Sequence, residues 1–346
     1  MVLLLLYVDD ILLAGSTQAV VDYFAQKISE TFRVSSEGPL TTYLGFDIEV
    51  DLATKTVKLS MSRYVEKMYE RFKMAVKQSV VVPLQEGIVG ALHLASEADA
   101  KFQEEFEYRE KIGCLLYYMI CMRPDICFSI GLLARFCNRV SKVAAAGVTQ
   151  VLQYCYNTRF DKLVLGGIIA FITAYCDSDW ATDRDNRRSQ SSYILFLGLG
   201  PVDWKSSQQK ITAQSTAEAE YIAKAAPVKT ILWLRSLLSQ TKIEAITTRY
   251  SSTLFGDNLA ADSMGNKYGT TDKLKHVALK YHLIQDVTEG GVICQEHVDT
   301  KLNVADLGTK VTSKRVFLDL VDLSMGRGTI LPPSKRVKTA VSDEFV

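Results

Sequence analysis

The residues of this sequence best suited to chemistry are carboxylates placed at the ends of strand-like and helix-like segments. In FITAYCDSDW, strand alternation puts Phe171, Thr173, Tyr175 and Asp177 on one face, so an acid closes a row that otherwise packs. Glu218 falls in the first turn of a helix opening at Ser215-Thr216, with Ile222, Ala225 and Leu232 as its sheet-facing partners and Glu220 pointing elsewhere. Asp257 stands where the strand-like STLFG runs into a helix, at a carboxyl end, where open α/β sheets usually place their ligand sites. Asp306 follows the last strand, in VADLGTK. Three or four converging carboxylates can hold two cations about 4 Å apart, which activate water and stabilise the leaving oxygen of a phosphodiester. Taken singly, an acid at a helix N-terminus is more often a cap or a dipole partner, and an aspartate at a strand end a turn residue. The inference rests on the set.

A second acidic pair, Asp9 and Asp10, sits at the tip of a hairpin-like segment in which residues 2 to 14 read as two leucine-rich strands. A helix is expected from about Gln18 to Phe32, with Val20, Val21, Phe24, Ile28 and Phe32 on one stripe. A second hairpin, TTYLGFDIEV and TVKLSMS, turns at Asp51 to Thr54, and Ser62 opens a helix carrying Tyr64, Met68, Tyr69 and Phe72. Residues 75 to 105 read as irregular, and helices fill most of 106 to 158. The pattern changes near 160 to 168, the natural domain boundary. Strands alternate there with a long helix from Thr216, a helix closed by Gly290-Gly291 and a short helix from Asn303. Pro227 should interrupt the Thr216 to Gln240 helix, since a lost backbone hydrogen bond costs about 3 kcal/mol. The tail after Gly326 has little to pack and reads as disordered, and its PPSKRVK has the composition of a nuclear import signal.

Composition narrows the classes. A chain of 346 residues with 48% hydrophobic content can build two globular domains. The 40 lysines and arginines nearly cancel 39 aspartates and glutamates, so any nucleic-acid surface must be a local patch. The seven cysteines include no Cys-x-x-Cys pair and favour reduced core thiols. The opening run MVLLLLYV is far short of a bilayer span or a signal peptide, so a cytosolic or nuclear protein with no membrane partner is expected.

The segments CDSDWATDRDNRRSQSSYILFLG, VDWKSSQQKITAQSTAEAEYIA, FGDN, LKHVALKYHLIQD and NVADLGTK, in this order, resemble the ribonuclease H domain of copia-type retrotransposon polyproteins. Tyr7-Val8-Asp9-Asp10 resembles the reverse transcriptase palm motif, and TTYLGFDIEV the hairpin that grips the primer. KLSMSRYVEKMYERF and YREKIGCLLYYMICMRPDICFSIGLLARF follow in copia-type order. The resemblance implies an α/β (α+β) chain: residues 1–165 the C-terminal part of a reverse transcriptase, with partial palm and thumb-like helices; 166–325 a ribonuclease H-like domain with a mixed five-stranded sheet and flanking helices; 326–346 a tail.

It further implies Asp177, Glu218, Asp257 and Asp306 as catalytic, metal-binding carboxylates holding two Mg²⁺ or Mn²⁺ ions, with Asp179 the nearest rival to Asp177. The reaction would be cleavage of RNA in an RNA/DNA hybrid, chosen by backbone shape and 2′-hydroxyls. Arg184, Arg187, Arg188, Lys205 and Lys210 flank the Asp177 strand and are the candidates for phosphate contact. His276 and His282 are six residues apart, not a metal pair by spacing, and read as structural or substrate-side; His297 could assist product release or simply lie at the surface.

Asp9 and Asp10 form an incomplete polymerase site. A carboxylate from an earlier palm strand and the nucleotide-binding fingers are expected upstream of Met1, so polymerisation is expected only with a complementing Pol segment. Ser192 stands where the family has a glycine, and SKVAAAGVTQV lacks the usual proline and histidine. The rival reading from another class is a catalytically silent relic or domesticated nucleic-acid-binding module.

Overall fold

The computed structural model describes residues 2–36, 38–95, 105–167, 171–183, 186–241, 250–261 and 278–328. Strands β1 (Val2–Tyr7) and β2 (Asp10–Gly15) form an antiparallel hairpin in which Tyr7 pairs with Asp10, leaving Val8 and Asp9 as the turn. Val8 takes a φ of 52°, a left-handed conformation that β-branched residues rarely adopt. Helix α1 (Gln18–Thr31) forms close to its expected span, yet none of its residues is buried.

Strands β3 (Thr42–Tyr43), β4 (Phe46–Asp51), β5 (Thr56–Ser60) and β6 (Leu163–Gly166) make a four-stranded antiparallel sheet. Its β4–β5 turn is fixed by Asp51 Oδ1, which accepts from the backbone N–H groups of Ala53 (2.9 Å) and Thr54 (3.2 Å), a local bond that short acidic side chains make readily. Helices α2 (Ser62–Arg71), α3 (Ile88–Leu94), α4 (Tyr108–Met122), α5 (Cys127–Ala134) and α6 (Lys142–Asn157) follow. Helix α3 lies inside the stretch expected to be irregular; it is held by Leu92, which is buried in the helical core.

A second sheet has the order β11-β10-β7-β8-β9, built from β7 (Ile172–Asp179), β8 (Gln190–Leu197), β9 (Gly200–Gln208), β10 (Ser252–Gly256) and β11 (Ile293–His297). Strands β7, β8 and β9 are antiparallel, whereas β10 runs parallel to both β7 and β11. This is the mixed five-stranded sheet with flanking helices that the sequence implies. Helices α7 (Thr216–Gln240) and α8 (Ala278–Glu289) cover one face, where Ala174, Cys176, Leu195 and Leu254 meet Val228, Ile231 and Ile284. Helix α9 (Lys314–Ser324) closes the described chain. Helix α7 runs unbroken through Pro227, contrary to expectation. Val228 and Ile231, fully buried on the sheet just beyond it, supply tertiary packing that outweighs the missing hydrogen bond.

Alternate residues of the same strands point the other way. Tyr175 stacks on Phe255 with centroids 4.8 Å apart and meets Phe196 edge-on at 5.8 Å. This face shares one core with the helices of the first half, reaching Tyr118, Leu133, Val151 and Tyr154. The Trp204 indole donates to the carbonyl of Met119 (3.1 Å), and Tyr154 meets Phe317 edge-on at 5.7 Å. Beneath them Arg123 and Asp125, with side chains 1% and 0% exposed, form a two-pronged ion pair (2.8 and 2.6 Å), to which the Tyr154 hydroxyl donates at 2.7 Å. Burial alone would push the Asp125 carboxyl up, but Arg123 outweighs it and holds Asp125 below its ordinary range. The change in sequence pattern near residue 165 is therefore not a break in packing. All seven cysteines are free thiols. Among the described residues no helix is long and apolar enough to cross a membrane.

Candidate metal centre

Parallel β7 and β10 end side by side, with Thr253, Leu254 and Phe255 level with Thr173, Ala174 and Tyr175. Asp177, still within β7, and Asp257, just past the end of β10, follow these paired residues at the same end of the sheet. Asp177 is 4% exposed, and one oxygen accepts from the Thr309 hydroxyl at 2.5 Å. Asp257, half-buried, accepts from the Thr300 hydroxyl at 2.9 Å.

The third acid of the group is Glu220, not Glu218. One ligand oxygen from each of Asp177, Glu220 and Asp257 lies within 4.8 Å of the other two. Glu220 is 5% exposed and accepts a hydrogen bond from the Ser178 backbone. Glu218 instead serves the helix start: the N-cap Ser215 hydroxyl accepts from Glu218 N (3.2 Å), and Glu218 Oε2 reaches back to accept from Gln214 N (2.7 Å), one residue before the cap. The expectation that Glu220 points elsewhere is thus overturned. Residues 218 to 225 of α7 are all buried, so the packing of this helix start against the sheet also encloses the Glu220 carboxylate beside Asp177.

Asp306 arrives on a 3₁₀ segment, Val304–Gly308. Asn303 fastens that segment to β7 by donating to the Cys176 carbonyl (3.1 Å), and Ser206 donates to the Gly308 carbonyl (2.6 Å). Gly308 is required there, because a Cβ would fall 2.0 Å from Ser192 Oγ. Asp306 Oδ2 pairs with Lys310 Nζ at 3.0 Å, while the buried Oδ1 has no hydrogen-bond partner among the described residues. Asp179, the rival to Asp177, is outside the group of three, and burial raises its carboxyl.

The electrostatics record the crowding. Burial, then the charges of Asp177 and Asp257, push Glu220 up to about 9. Burial and Asp177 push Asp306 up to about 7. Carboxylates forced together in this way are relieved by a cation, and a set made entirely of hard oxygen donors, with a spare buried oxygen on Asp306, suits Mg²⁺ or Mn²⁺.

The basic candidates surround this centre less tightly. Arg187 and Arg188 lie in the exposed loop after β7, Lys205 on edge strand β9 and Lys210 just beyond it, all solvent-facing. Arg184 and His276 fall outside the described residues. His282 is exposed on α8, and His297 is exposed at the end of β11, opposite Gly256 and so beside Asp257. Asp9 and Asp10 are exposed on their hairpin, and among the described residues neither joins a group of three metal-ligating side chains.

Residues 1–86 match the reverse transcriptase (RNA-dependent DNA polymerase) family. The chain is 30% identical over 322 residues to the retrovirus-related Pol polyprotein from transposon TNT 1-94 of Nicotiana tabacum, covering 91% of this chain and 24% of that protein. It is also 30% identical over 334 residues to the corresponding polyprotein from transposon RE1 of Arabidopsis thaliana, covering 96% and 22%. The chain therefore spans about a quarter of the length of these relatives (24% and 22%). Among solved structures, the N-terminal RNase H domain of a Mycobacterium tuberculosis protein aligns with 45% of this chain and 96% of its own, at 13% identity and a TM-score of 0.30. By these sequence matches the chain is similar over most of its length to the retrovirus-related Pol polyproteins of transposons, and over residues 1–86 to reverse transcriptases.

Proposed function

We propose that the five-stranded half of this chain is a ribonuclease H that cuts the RNA strand of RNA/DNA hybrids with two Mg²⁺ or Mn²⁺ ions. The observation that carries the reading is the convergence of Asp177, Glu220 and Asp257 on one sheet end, with Asp306 against Asp177. When bound, the ions supply an activated water and charge stabilisation at the leaving 3′ oxygen. The chain's own residues position them. Thr309 and the Ser178 backbone fix the directions of the Asp177 and Glu220 carboxylates, and Thr300 does so for Asp257. Asn303 and Ser206 hold the segment bearing Asp306. Arg187, Arg188, Lys205 and Lys210 are free to meet backbone phosphates, which would orient the duplex without reading its sequence.

Asp9 and Asp10, exposed on their hairpin and outside the carboxylate group, take no part in this cleavage. The experiment is cleavage of a labelled RNA/DNA hybrid with Mg²⁺ or Mn²⁺ by the intact chain and by Asp257→Asn. Cleavage lost on substitution supports the nuclease; folded protein that binds the hybrid and leaves it uncut in every case marks a catalytically silent binding module.

A further inference from the structure

A directed run of hydrogen bonds joins the first half of the chain to the segment that carries Asp306. Arg135 follows the last residue of α5 and belongs to the helices of the first half. Its guanidinium donates to Gln190 Oε1 at 2.5 Å and to Asp183 Oδ2 at 3.3 Å, tying α5 to the start of β8 and to the loop before it. Gln190, 3% exposed, donates through Nε2 to Ser206 Oγ at 2.7 Å, and Ser206 donates to the Gly308 carbonyl at 2.6 Å. Gly308 lies between Asp306 and Thr309, whose hydroxyl donates to Asp177.

The run has a polarity. An amide can turn over and exchange its oxygen for its nitrogen, and a serine hydroxyl both donates and accepts, but a guanidinium only donates. Arg135 therefore keeps the Gln190 oxygen towards itself and the nitrogen towards Ser206. Ser206, accepting from that nitrogen, sends its own proton on to Gly308. Without the charge at the head the amide is free to reverse, and Ser206 then donates to the Gln190 oxygen and releases Gly308. A charge-assisted bond is also stronger than a neutral one and polarises those that follow it.

Resting on the nuclease reading above, we infer that Arg135 is a positioning residue, which from the first half fixes the Val304–Gly308 segment through Gln190 and Ser206. It acts on the centre without touching ion or substrate, unlike the phosphate contacts assigned to Arg187 and Arg188.

The test uses the full chain, with circular dichroism to check that each variant is folded. It reads hydrogen exchange of residues 303–310, Mn²⁺ affinity without nucleic acid, and kcat and KM for hybrid cleavage. Arg135→Met and Ser206→Ala should each speed exchange in that segment, weaken Mn²⁺ about tenfold and lower kcat with KM unchanged. Because both break one run, the double variant should lose no more than the larger single loss. Arg135→Lys, which still donates to Gln190, should recover part of it. Lys142→Met, which removes an exposed charge at the start of α6, should change nothing. The inference is overturned if the two losses multiply, if Lys142→Met gives an equal loss, or if exchange and Mn²⁺ affinity in Arg135→Met stay at wild-type values. A raised KM with kcat intact in Arg135→Met also overturns it, by making Arg135 a phosphate contact. A wild type that binds no Mn²⁺ and leaves the hybrid uncut removes the nuclease reading, and exchange of residues 303–310 then decides the role of Arg135 by itself.

Discussion

Two acidic motifs in this chain are set in opposite surroundings. Asp9 and Asp10 ride on a hairpin whose β1 side chains from Leu3 to Tyr7 are 37% to 61% exposed, next to a helix that buries nothing. Asp177 and Glu220 are 4% and 5% exposed, and are brought together although they are 43 residues apart in sequence (220 − 177). Both hairpin and sheet follow from local alternation and register. Only the sheet has long-range packing on both faces, and it is that packing which forces carboxylates into one another's field. A hairpin can display two aspartates; it takes a covered sheet end to gather carboxylates from distant segments.

The comparison can be broken most severely by removing the cover. Residues 166–346 alone would bare Tyr175, Phe196, Phe255 and Trp204, which pack on helices of the first half. We expect that fragment to lack a cooperative thermal transition, whereas residues 38–346, without hairpin and α1, should unfold like the full chain. A cooperative 166–346 fragment would show that the shared core is dispensable. Next in size is Arg123→Met, which strands Asp125 without its partner and should cost about 3–5 kcal/mol in urea unfolding. Asp125→Leu added to it should recover part of that loss.

A smaller, signed effect is expected with pH. Glu220 and Asp306 have folded values of about 9 and about 7, above their ordinary 4.5 and 3.8, so the folded state holds protons that the unfolded state has released. In chelator, stability should therefore fall as pH rises from about 4.5 towards 9, and be fullest below that window. Mg²⁺ should flatten the slope, as should Glu220→Gln. Thermal melts between pH 5 and 9 check both, and a metal-free slope of opposite sign would contradict the crowded site.

Much of this centre was legible in the sequence. Alternation in FITAYCDSDW placed Asp177 on a packed face, and the strand-to-helix step after STLFG placed Asp257 at a carboxyl end. Glu218 and Glu220 lie at the start of one helix that is buried on nearly every side: Ile222 and Ala225 pack on the sheet as the sequence implies, but so do Val228 and Ile231, so the apolar pattern does not choose between the two acids. Ser215-x-x-Glu218 is capping-box spacing, and that is the sequence signal which assigns Glu218 to the helix start and leaves Glu220 for the site. The unbroken helix at Pro227 and the core shared across residue 165 depend on tertiary contacts that local pattern does not encode. The smallest expected effect returns to the hairpin: Asp9→Asn with Asp10→Asn should leave stability within about 0.5 kcal/mol and hybrid cleavage unchanged.

The central claim is that Glu220, and not Glu218, completes the carboxylate centre, and the most direct measurement is hybrid cleavage by Glu220→Gln beside Glu218→Ala. Glu220→Gln should stay folded and lose about a hundredfold or more in rate, as when one group of a pre-organised electrostatic site is removed. Glu218→Ala should lose about 1 kcal/mol of stability and cut within a few-fold of the wild-type rate. The reverse pattern, with Glu218→Ala inactive and Glu220→Gln active, would contradict the account.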